Sequence, residues 1–298
     1  EVTALASSDD AAGAAAALAK LRRELDPARR MDVAYFRFQE AGVLLLQERA
    51  REAAVAATDA VNIARESGLP PLQIPHFLVR LALCHLRLNE IALALAVYRE
   101  AVALASGPDK RNFGLHETLV HAFDQMRGGN RGGATALLRS LLPTCREMGY
   151  FGFNRMAPQV VAPVLALALA EDIEADYVRA LIRRRKLPPP SPDIADWPWP
   201  LALRTLGEFV IAHDGVPMVS KGKAQKKPLE LLKALIAHGG RNVDAAMLTA
   251  LLWPDAEGDD AKTSFDSNLY RLRKLLAAEG AVLLADGKLS LNPEVVWL

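Results

Sequence analysis

The sequence predicts a mostly α-helical chain in two domains, a helical N-terminal part and a smaller C-terminal part that mixes helices with strands. Residues 1–186 are rich in Ala and Leu at helical spacing and contain almost no strand pattern. Residues 187–197 are rich in proline, and residues 198–298 combine alternating apolar and polar segments with helical ones. The 298 residues, 51% of them hydrophobic, are enough for two cores of ordinary domain size.

Gly, Pro and Asn divide the N-terminal domain into nine predicted helices, because these residues interrupt an otherwise continuous apolar periodicity. The breaks contain Asp26-Pro27, Gly68-Leu69-Pro70-Pro71, Gly107-Pro108 and Gly128-Gly129-Asn130. The predicted helices are 10–24, 31–48, 51–67, 72–88, 91–106, 112–127, 132–148, 156–170 and 174–186.

Helix pairs recur in this domain with a period of about 40 residues, which indicates an α-solenoid whose pairs need their neighbours to bury their apolar faces. The clearest pair has Ala82 in its first helix and Ala94, Tyr98 and Ala101 in its second. This small–small–aromatic–small pattern resembles the tetratricopeptide repeat, in which alanines let two helices approach closely. We therefore expect a tetratricopeptide-like helical domain.

A proline-rich linker separates the two domains, since four prolines fall within residues 188–192 and favour an extended backbone. The basic run Arg183-Arg184-Arg185-Lys186 ends the preceding helix. One interpretation is that these cations stabilise the C-terminus of the helix. The alternative is that they contact nucleic-acid phosphates.

The C-terminal domain is predicted to have the order sheet, three helices, hairpin. Leu201 to Val219 alternates around Gly207 and Asp214-Gly215, which favours a small antiparallel sheet. Helices follow at 228–238, at 244–253 with Asp244 as the N-cap, and at 260–278. Asp286-Gly287, between the apolar runs 281–284 and 288–291, predicts a hairpin.

Three segments of this domain carry a resemblance to a known family: Leu203-Arg204-Thr205-Leu206-Gly207-Glu208-Phe209, Leu251-Leu252-Trp253-Pro254-Asp255 and 268–276, which reads Asn-Leu-Tyr-Arg-Leu-Arg-Lys-Leu-Leu. Together they resemble the OmpR/PhoB-type winged helix–turn–helix, in the version found in bacterial transcriptional activators of the SARP and MalT-like kind. The resemblance covers about residues 200 to 296. It implies an α+β winged helix–turn–helix domain that binds double-stranded DNA.

Even without the resemblance, the helix at 260–278 has the residue pattern of a helix that contacts DNA. Phe265, Leu269, Leu272 and Leu276 form one apolar stripe, and the other faces carry residue types that hydrogen-bond to DNA. The resemblance implies base contacts at Asp266, Ser267 and Arg271. Phosphate contacts are expected at Thr263, Asn268, Tyr270, Arg273 and Lys274, and Lys288 is the cation of the wing.

These observations predict a bacterial transcriptional regulator that binds double-stranded DNA through its C-terminal domain. The helical repeats are expected to sense a ligand or protein, or to mediate homo-oligomerisation. The resemblance also implies RNA polymerase as a candidate partner of the acidic loop that contains Asp255, Glu257 and Asp259. The lysine-rich run 221–227 has two interpretations, a solvated loop or a contact with phosphates.

The alternative is a protein-interaction adaptor, in which the winged helix serves as a docking surface without binding DNA. Residues 201–298 contain 12 Lys or Arg and 12 Asp or Glu, so this domain is neutral overall. Tyr270, at a position where the family often has a basic residue, also favours this alternative.

No catalytic, metal or cofactor site is expected, so the chain is predicted not to be an enzyme. His116 and His121 are five residues apart and point in different directions on a helix, so they cannot share a metal as an i, i+4 pair can. Cys84 and Cys145 lie in apolar helical patterns, which favours buried free thiols in a reducing cytoplasm. With neither a signal peptide nor a membrane-length apolar run in view, we expect a cytoplasmic protein without membrane contact. The chain begins at Glu1, so we also expect a longer parent protein.

Overall fold

A computed structural model describes Val2 and residues 10–218, 226–256 and 258–298, without the side chain of Asn154. These residues form a mostly helical fold with twelve α-helices, and every described strand lies at or after Leu201. The chain divides into two compact units, which we call the N-terminal unit (Glu1–Leu187) and the C-terminal unit (Pro188–Leu298). Within the described ranges, none of the helices combines the length and the apolar character that crossing a bilayer requires.

The described part of the N-terminal unit is a succession of nine helices and one 3-10 turn. The helices are α1 Ala11–Glu24, α2 Arg30–Leu46, α3 Ala50–Glu66, α4 Ile74–Arg87, α5 Ile91–Leu104, α6 Gly107–Arg127, α7 Arg131–Glu147, α8 Pro158–Ala170 and α9 Ala175–Arg185, and the 3-10 turn is Phe153–Arg155. Each helix packs against the next along the chain. Alternate helices also touch, α2 with α4 and α6 with α8.

The predicted helices of this unit are all present, which confirms its helical character. The largest difference is at α6, which is predicted from residue 112 but begins at Gly107. The sequence pattern makes Gly107-Pro108 a break between helices. In the structure Pro108 lies in the first turn of α6, where the N–H that proline lacks has no helical acceptor.

Buried alanines line the helix contacts of the N-terminal unit. In α3 the buried side chains recur every three or four residues and so form one stripe along the helix. Ala82, Ala94, Tyr98 and Ala101, the residues of the repeat pattern, are all fully buried. Side chains this small add little bulk between two helices, so the helices can approach closely.

Both cysteines are buried and free, as the sequence predicts. Burial raises the pKa of the Cys84 thiol to about 12 and that of the Cys145 thiol to about 11. Both side chains are therefore protonated and unreactive at neutral pH.

A group of aromatic side chains surrounds the buried His116 of α6. Its Nε2 lies 2.8 Å from the hydroxyl of Tyr150, which follows α7. The rings of Tyr98 and Phe153 pack against the imidazole, with centroid distances of 6.0 and 5.5 Å. Among the described residues, neither His116 Nδ1 nor the Tyr98 hydroxyl has a hydrogen-bond partner, although both atoms are buried.

The C-terminal unit contains seven short strands and three helices in its described residues. They are β1 Leu201–Arg204, β2 Val210–His213, β3 Val216–Pro217, α10 Lys226–Ala237, β4 Val243–Asp244, α11 Ala245–Leu252, α12 Gly258–Leu276, β5 Val282–Ala285, β6 Lys288–Leu291 and β7 Val296–Trp297. The predicted order of sheet, three helices and hairpin is therefore present. Val219, at the end of the predicted sheet, lies outside the described residues.

The strands of this unit form two small sheets. One has the strand order β3-β2-β1-β7, in which β1 and β7 pair in parallel and join the beginning of the unit to its end. The other has the order β4-β6-β5. Tight turns at Asp214-Gly215 and Asp286-Gly287 connect the antiparallel strands, and all four residues have positive φ, as a type I′ hairpin turn requires.

The core of the C-terminal unit joins both sheets to the three helices. It contains Leu201 and Leu203 of β1, Leu231 of α10, Leu248 of α11 and Leu289 of β6, each at most 1% exposed. The apolar stripe of α12 completes this core. One cluster therefore holds the long helix and the hairpin in fixed positions within the unit.

The segment predicted as an extended linker is partly folded. Trp197 and Trp199 are buried, and the indole Nε1 of Trp199 donates to the carbonyl oxygen of Ile194 at 2.7 Å. Proline content predicts an extended chain up to residue 197. Burial of the two indole rings, which bury large apolar areas, outweighs that preference at the C-terminal end of the segment.

We expect Ala94→Leu to lower the free energy of unfolding by about 1–3 kcal/mol, because Ala94 is fully buried between helices and three extra carbon atoms must displace a neighbour. Ala96→Leu, on the exposed side of the same helix, is the matched control and should change stability by less than about 0.5 kcal/mol. Urea unfolding of the full chain, followed by far-UV circular dichroism, measures both. Equal losses in the two variants would contradict the close packing around Ala94.

The stability of the N-terminal unit should fall as pH falls from about 6.5 toward 4, because of His116. Burial lowers the pKa of His116 to about 4, the nearby Gly152 carbonyl opposes this shift, and the positive charge of Arg185 adds to it. The unfolded chain, with an ordinary histidine pKa, therefore takes up the proton first as pH falls. We expect the wild type to lose up to about 3 kcal/mol more than His116→Gln between pH 7 and pH 4. Urea unfolding at several pH values tests this, and parallel pH profiles for the two proteins would contradict it.

Candidate nucleic-acid interface

The helix α12 is held in the C-terminal unit by one side and exposed on the other. Phe265, Leu269, Leu272 and Leu276 are between 0% and 4% exposed and pack in the core. Successive residues of an α-helix are about 100° apart, so this stripe leaves the opposite half of the surface open. The rotation of α12 about its own axis is thereby set by its apolar residues.

Most of the predicted DNA-contacting residues lie together on this open side. The three residues expected to contact bases, Asp266, Ser267 and Arg271, are all exposed. Of those expected to contact phosphates, the exposed ones are Thr263, Tyr270, Arg273 and Lys274. Tyr270 is 68% exposed, which is unusual for an aromatic side chain without a partner surface.

Asn268 does not share this surface, which corrects its assignment as a phosphate contact. It is 7% exposed, and its Nδ2 donates to the carbonyl oxygen of Ser264 at 2.8 Å. Asn268 precedes Tyr270 by two residues, and such residues point to different sides of a helix. The side chain therefore caps a backbone carbonyl inside the unit and does not face solvent.

Arg273 connects α12 to the hairpin. Its Nε donates to the carbonyl oxygen of Val282 in β5 at 3.1 Å, while the rest of the side chain stays exposed. The sequence pattern shows Arg273 only as a cation on a helix surface, because Val282 is nine positions away in an element of another type. The structure assigns this residue a structural contact in addition to its charge.

The hairpin β5–β6 carries Lys288 next to its turn. Lys288 is exposed and lies opposite Ala285 in the hairpin and opposite Asp244 of β4. The carbonyl oxygen of Gly287 accepts a hydrogen bond from the backbone N–H of Ala245 at 2.9 Å. The tip of the hairpin is therefore attached to the beginning of α11, and its position follows from that of the helices.

In the two other basic runs, described cations contact residues of the same unit. In the described part of the lysine-rich run, Lys227 lies 3.0 Å from a carboxylate oxygen of Glu230, and its Nζ donates to the Leu252 carbonyl at 3.1 Å. Lys221 and Lys223 lie outside the described residues, as does Glu257 of the acidic loop. In the basic run that ends α9, Arg184 stacks on Phe151 with its guanidinium carbon 4.8 Å from the ring centroid.

A cleft of about 740 Å³, which sequence reasoning did not find, lies beside the exposed face of α12. Its apolar lining comes from Trp253, Phe265 and Leu284 together with small residues of α11, and Lys262 and Asp266 of α12 line it as well. The small residues at Ala245, Ala246, Thr249 and Ala250 are the only pattern in the sequence that could have indicated it. The cleft depends on how α11, α12 and the hairpin meet.

The two histidines of α6 have different surroundings. His116 is buried, and His121 lies 3.3 Å through its Nε2 from Gln125 Nε2. Across the part of the chain that the structure describes, no group of three or more His, Cys, Asp or Glu side chains could hold a metal ion. No family model, curated protein or solved structure matches this chain.

We expect Arg273→Met to lower the stability of the C-terminal unit by about 1 kcal/mol, because it removes the hydrogen bond to Val282. Arg271→Met removes the same charge from the same helix without that bond and is the matched control. Amide hydrogen exchange of the full chain should be faster in β5 and β6 of Arg273→Met only. If the two variants exchange alike, Arg273 does not connect the helix to the hairpin.

Proposed function

We propose that the C-terminal unit is a winged helix–turn–helix that binds double-stranded DNA and that the protein is a bacterial transcriptional regulator. The observation that carries this proposal is the exposed polar side of α12, whose rotation is set by a buried apolar stripe. The order of elements and the hairpin after α12 give further support.

In this proposal α12 enters the major groove, which is wide enough to admit an α-helix. Arg271 is suited to a bidentate contact with guanine, and Ser267 and Asp266 lie on the same exposed side to contact neighbouring base edges. Thr263, Tyr270 and Lys274 supply hydroxyl and ammonium donors for the phosphates along the groove.

The hairpin β5–β6 acts as the wing and brings Lys288 to the adjacent backbone or minor groove. Arg273 contributes its charge near the same strand because its Nε already lies against β5. Asn268 supports the helix from within and makes no contact with DNA.

The N-terminal unit is proposed to be a tetratricopeptide-like solenoid that senses a ligand or protein, or mediates oligomerisation. Its helices pack in sequence order, and its clearest repeat pair buries the pattern Ala82, Ala94, Tyr98 and Ala101. Stacked helix pairs of this kind offer a concave surface for binding. RNA polymerase remains the candidate partner of the acidic segment with Asp255 and Asp259, both of which are exposed.

A second candidate function is that of a protein-interaction adaptor, and the cleft beside α12 favours it. Its lining is largely apolar, with Trp253 and Phe265 among the contributing side chains, as expected where a partner's apolar side chain inserts. In that case the C-terminal unit would dock a protein without binding DNA.

Binding to duplexes selected from a random pool tests the DNA proposal, measured by fluorescence anisotropy on the full chain. We expect Arg271→Ala to reduce the preference for selected over scrambled duplexes by about 1–3 kcal/mol. Lys274→Ala should weaken binding to both duplexes alike and reduce the salt dependence by about one counterion. Arg204→Ala, an exposed cation of β1, is the control and should leave binding unchanged.

The same experiment separates the two candidate functions. If no duplex is retained even at low salt, or if Arg271→Ala and Lys274→Ala bind as the wild type does, the DNA proposal fails. If the unit is an adaptor, Ala250→Trp fills the cleft and should abolish binding of the partner protein. Arg271→Ala and Lys274→Ala, on the exposed side of α12, should leave that binding unchanged.

A further inference from the structure

The cleft beside α12 has apolar walls that come from three separate parts of the C-terminal unit. Trp253 follows α11, Phe265 belongs to α12 and Leu284 belongs to β5. Leu284 is 41% exposed, although it is a large apolar side chain. An apolar group that entered the cleft would cover this side chain and remove its apolar surface from water.

Two uncharged polar groups of the lining are already bonded within the unit. The hydroxyl of Thr249 donates to the carbonyl oxygen of Ala245 at 2.7 Å. The carbonyl oxygen of Gly287 accepts from the backbone N–H of Ala245. These groups are therefore not free to hold a polar ligand, and the walls suit an apolar one.

The charged side chains that line the cleft are mostly acidic. The acids are Asp244, Asp266 and Asp286, all of them exposed, and they come from β4, α12 and the hairpin turn. Among the described lining residues, Lys262 is the one cation. None of these four side chains takes part in an ion pair within the described ranges. Three carboxylates and one ammonium group give the lining a formal net charge of −2.

The size and the charge of the cleft together favour one class of occupant. Its volume of about 740 Å³ lies within the range of pockets that hold small molecules, which is about 300–1,000 Å³. An anion would meet like charge at the mouth of the cleft, whereas a cation would meet opposite charge from several elements. The occupant that fits best is therefore a small molecule with an apolar body and a positive charge.

We propose that the cleft binds a small amphipathic organic cation, a molecule that joins an aromatic or aliphatic body to a protonated amine. The body packs against Trp253, Phe265 and Leu284, and the amine lies among the three carboxylates. Burial of apolar area supplies most of the affinity, and the charge selects an amine over an alcohol or an acid of the same shape. The proposal does not depend on whether the C-terminal unit binds DNA. It places a small molecule where the adaptor function places a protein segment.

Three probes with the same indole body and different charges test this site on the full chain. They are tryptamine, which is a cation, tryptophol, which is neutral, and indole-3-propionate, which is an anion. Titrations followed by saturation-transfer NMR at constant ionic strength give the dissociation constants, and thermal unfolding gives a second measure of binding. A short basic peptide that contains tryptophan is titrated in parallel as a model of a protein segment.

The charge variants are chosen so that they keep the local backbone. Asp286 has a φ of 50°, and Asp286→Asn keeps a residue that suits this turn. The Asp244 side chain accepts from the backbone N–H of Met247 at 2.9 Å, and Asp244→Asn keeps a good N-cap. Asp260→Asn, at an exposed position of α12 outside the lining, is the matched control.

The shape of the site is tested by filling the cleft. Ala250→Trp places a large ring in the lining. Ala237→Trp, at an exposed position at the end of α10, is the matched control.

We expect the wild type to bind tryptamine with a dissociation constant at or below about 2 mM, as is usual for a ligand of this size, and to bind the other two probes more weakly. Asp286→Asn and Asp244→Asn should each weaken tryptamine binding about two- to fivefold and leave tryptophol binding unchanged, because each removes one exposed charge. Ala250→Trp should abolish binding of both probes. The two control variants should bind as the wild type does.

Three results would overturn the proposal. The first is tryptamine binding that is no tighter than tryptophol binding, or that neither charge variant changes. The second is equal binding of tryptamine by Ala250→Trp and the wild type, which would place the probe outside the cleft. The third is binding of the peptide without binding of tryptamine, which would favour the adaptor function. None of these results requires a duplex, so the DNA experiment succeeds or fails separately.

Discussion

Burial of the apolar side of α12 is the interaction on which the surface of the C-terminal unit depends. Four large side chains, from Phe265 to Leu276, enter the core, and burying each is worth about 1.5–3 kcal/mol. Rotating the helix would expose them, so the outward side is determined to within a fraction of a turn. The position of the hairpin follows from that of the helices, because Arg273 joins β5 to α12 and the Gly287 carbonyl joins the turn to α11. A polar helix side and a hairpin cation are therefore presented by a rigid core.

The two candidate functions of the C-terminal unit use overlapping surfaces. Lys262 and Asp266 line the cleft and also belong to the exposed side of α12. A protein segment seated in the cleft would cover the N-terminal half of the helix that the DNA proposal places in the major groove. The two functions therefore exclude each other at these residues, and a partner in the cleft would act as an inhibitor of DNA binding.

The N-terminal unit packs its helices closely and also buries polar side chains, which lowers its stability. Its alanines let helices meet closely, yet Arg80, His116 and Tyr98 are buried among them. Burial and the positive charge of Arg185 keep His116 neutral at physiological pH.

The sequence by itself determined the elements and much of the candidate interface. Periodicity located the helices, Asp-Gly pairs located both hairpin turns, and the stripe of α12 identified its buried side, because these patterns arise from local geometry. Tertiary structure alone decided that Asn268 is buried, that Arg273 contacts Val282 and that a cleft lies beside α12. It also brought the rings of Tyr98, Tyr150 and Phe153 together around His116. Contacts between residues far apart in the chain depend on how elements pack, and no local pattern of residues records that packing.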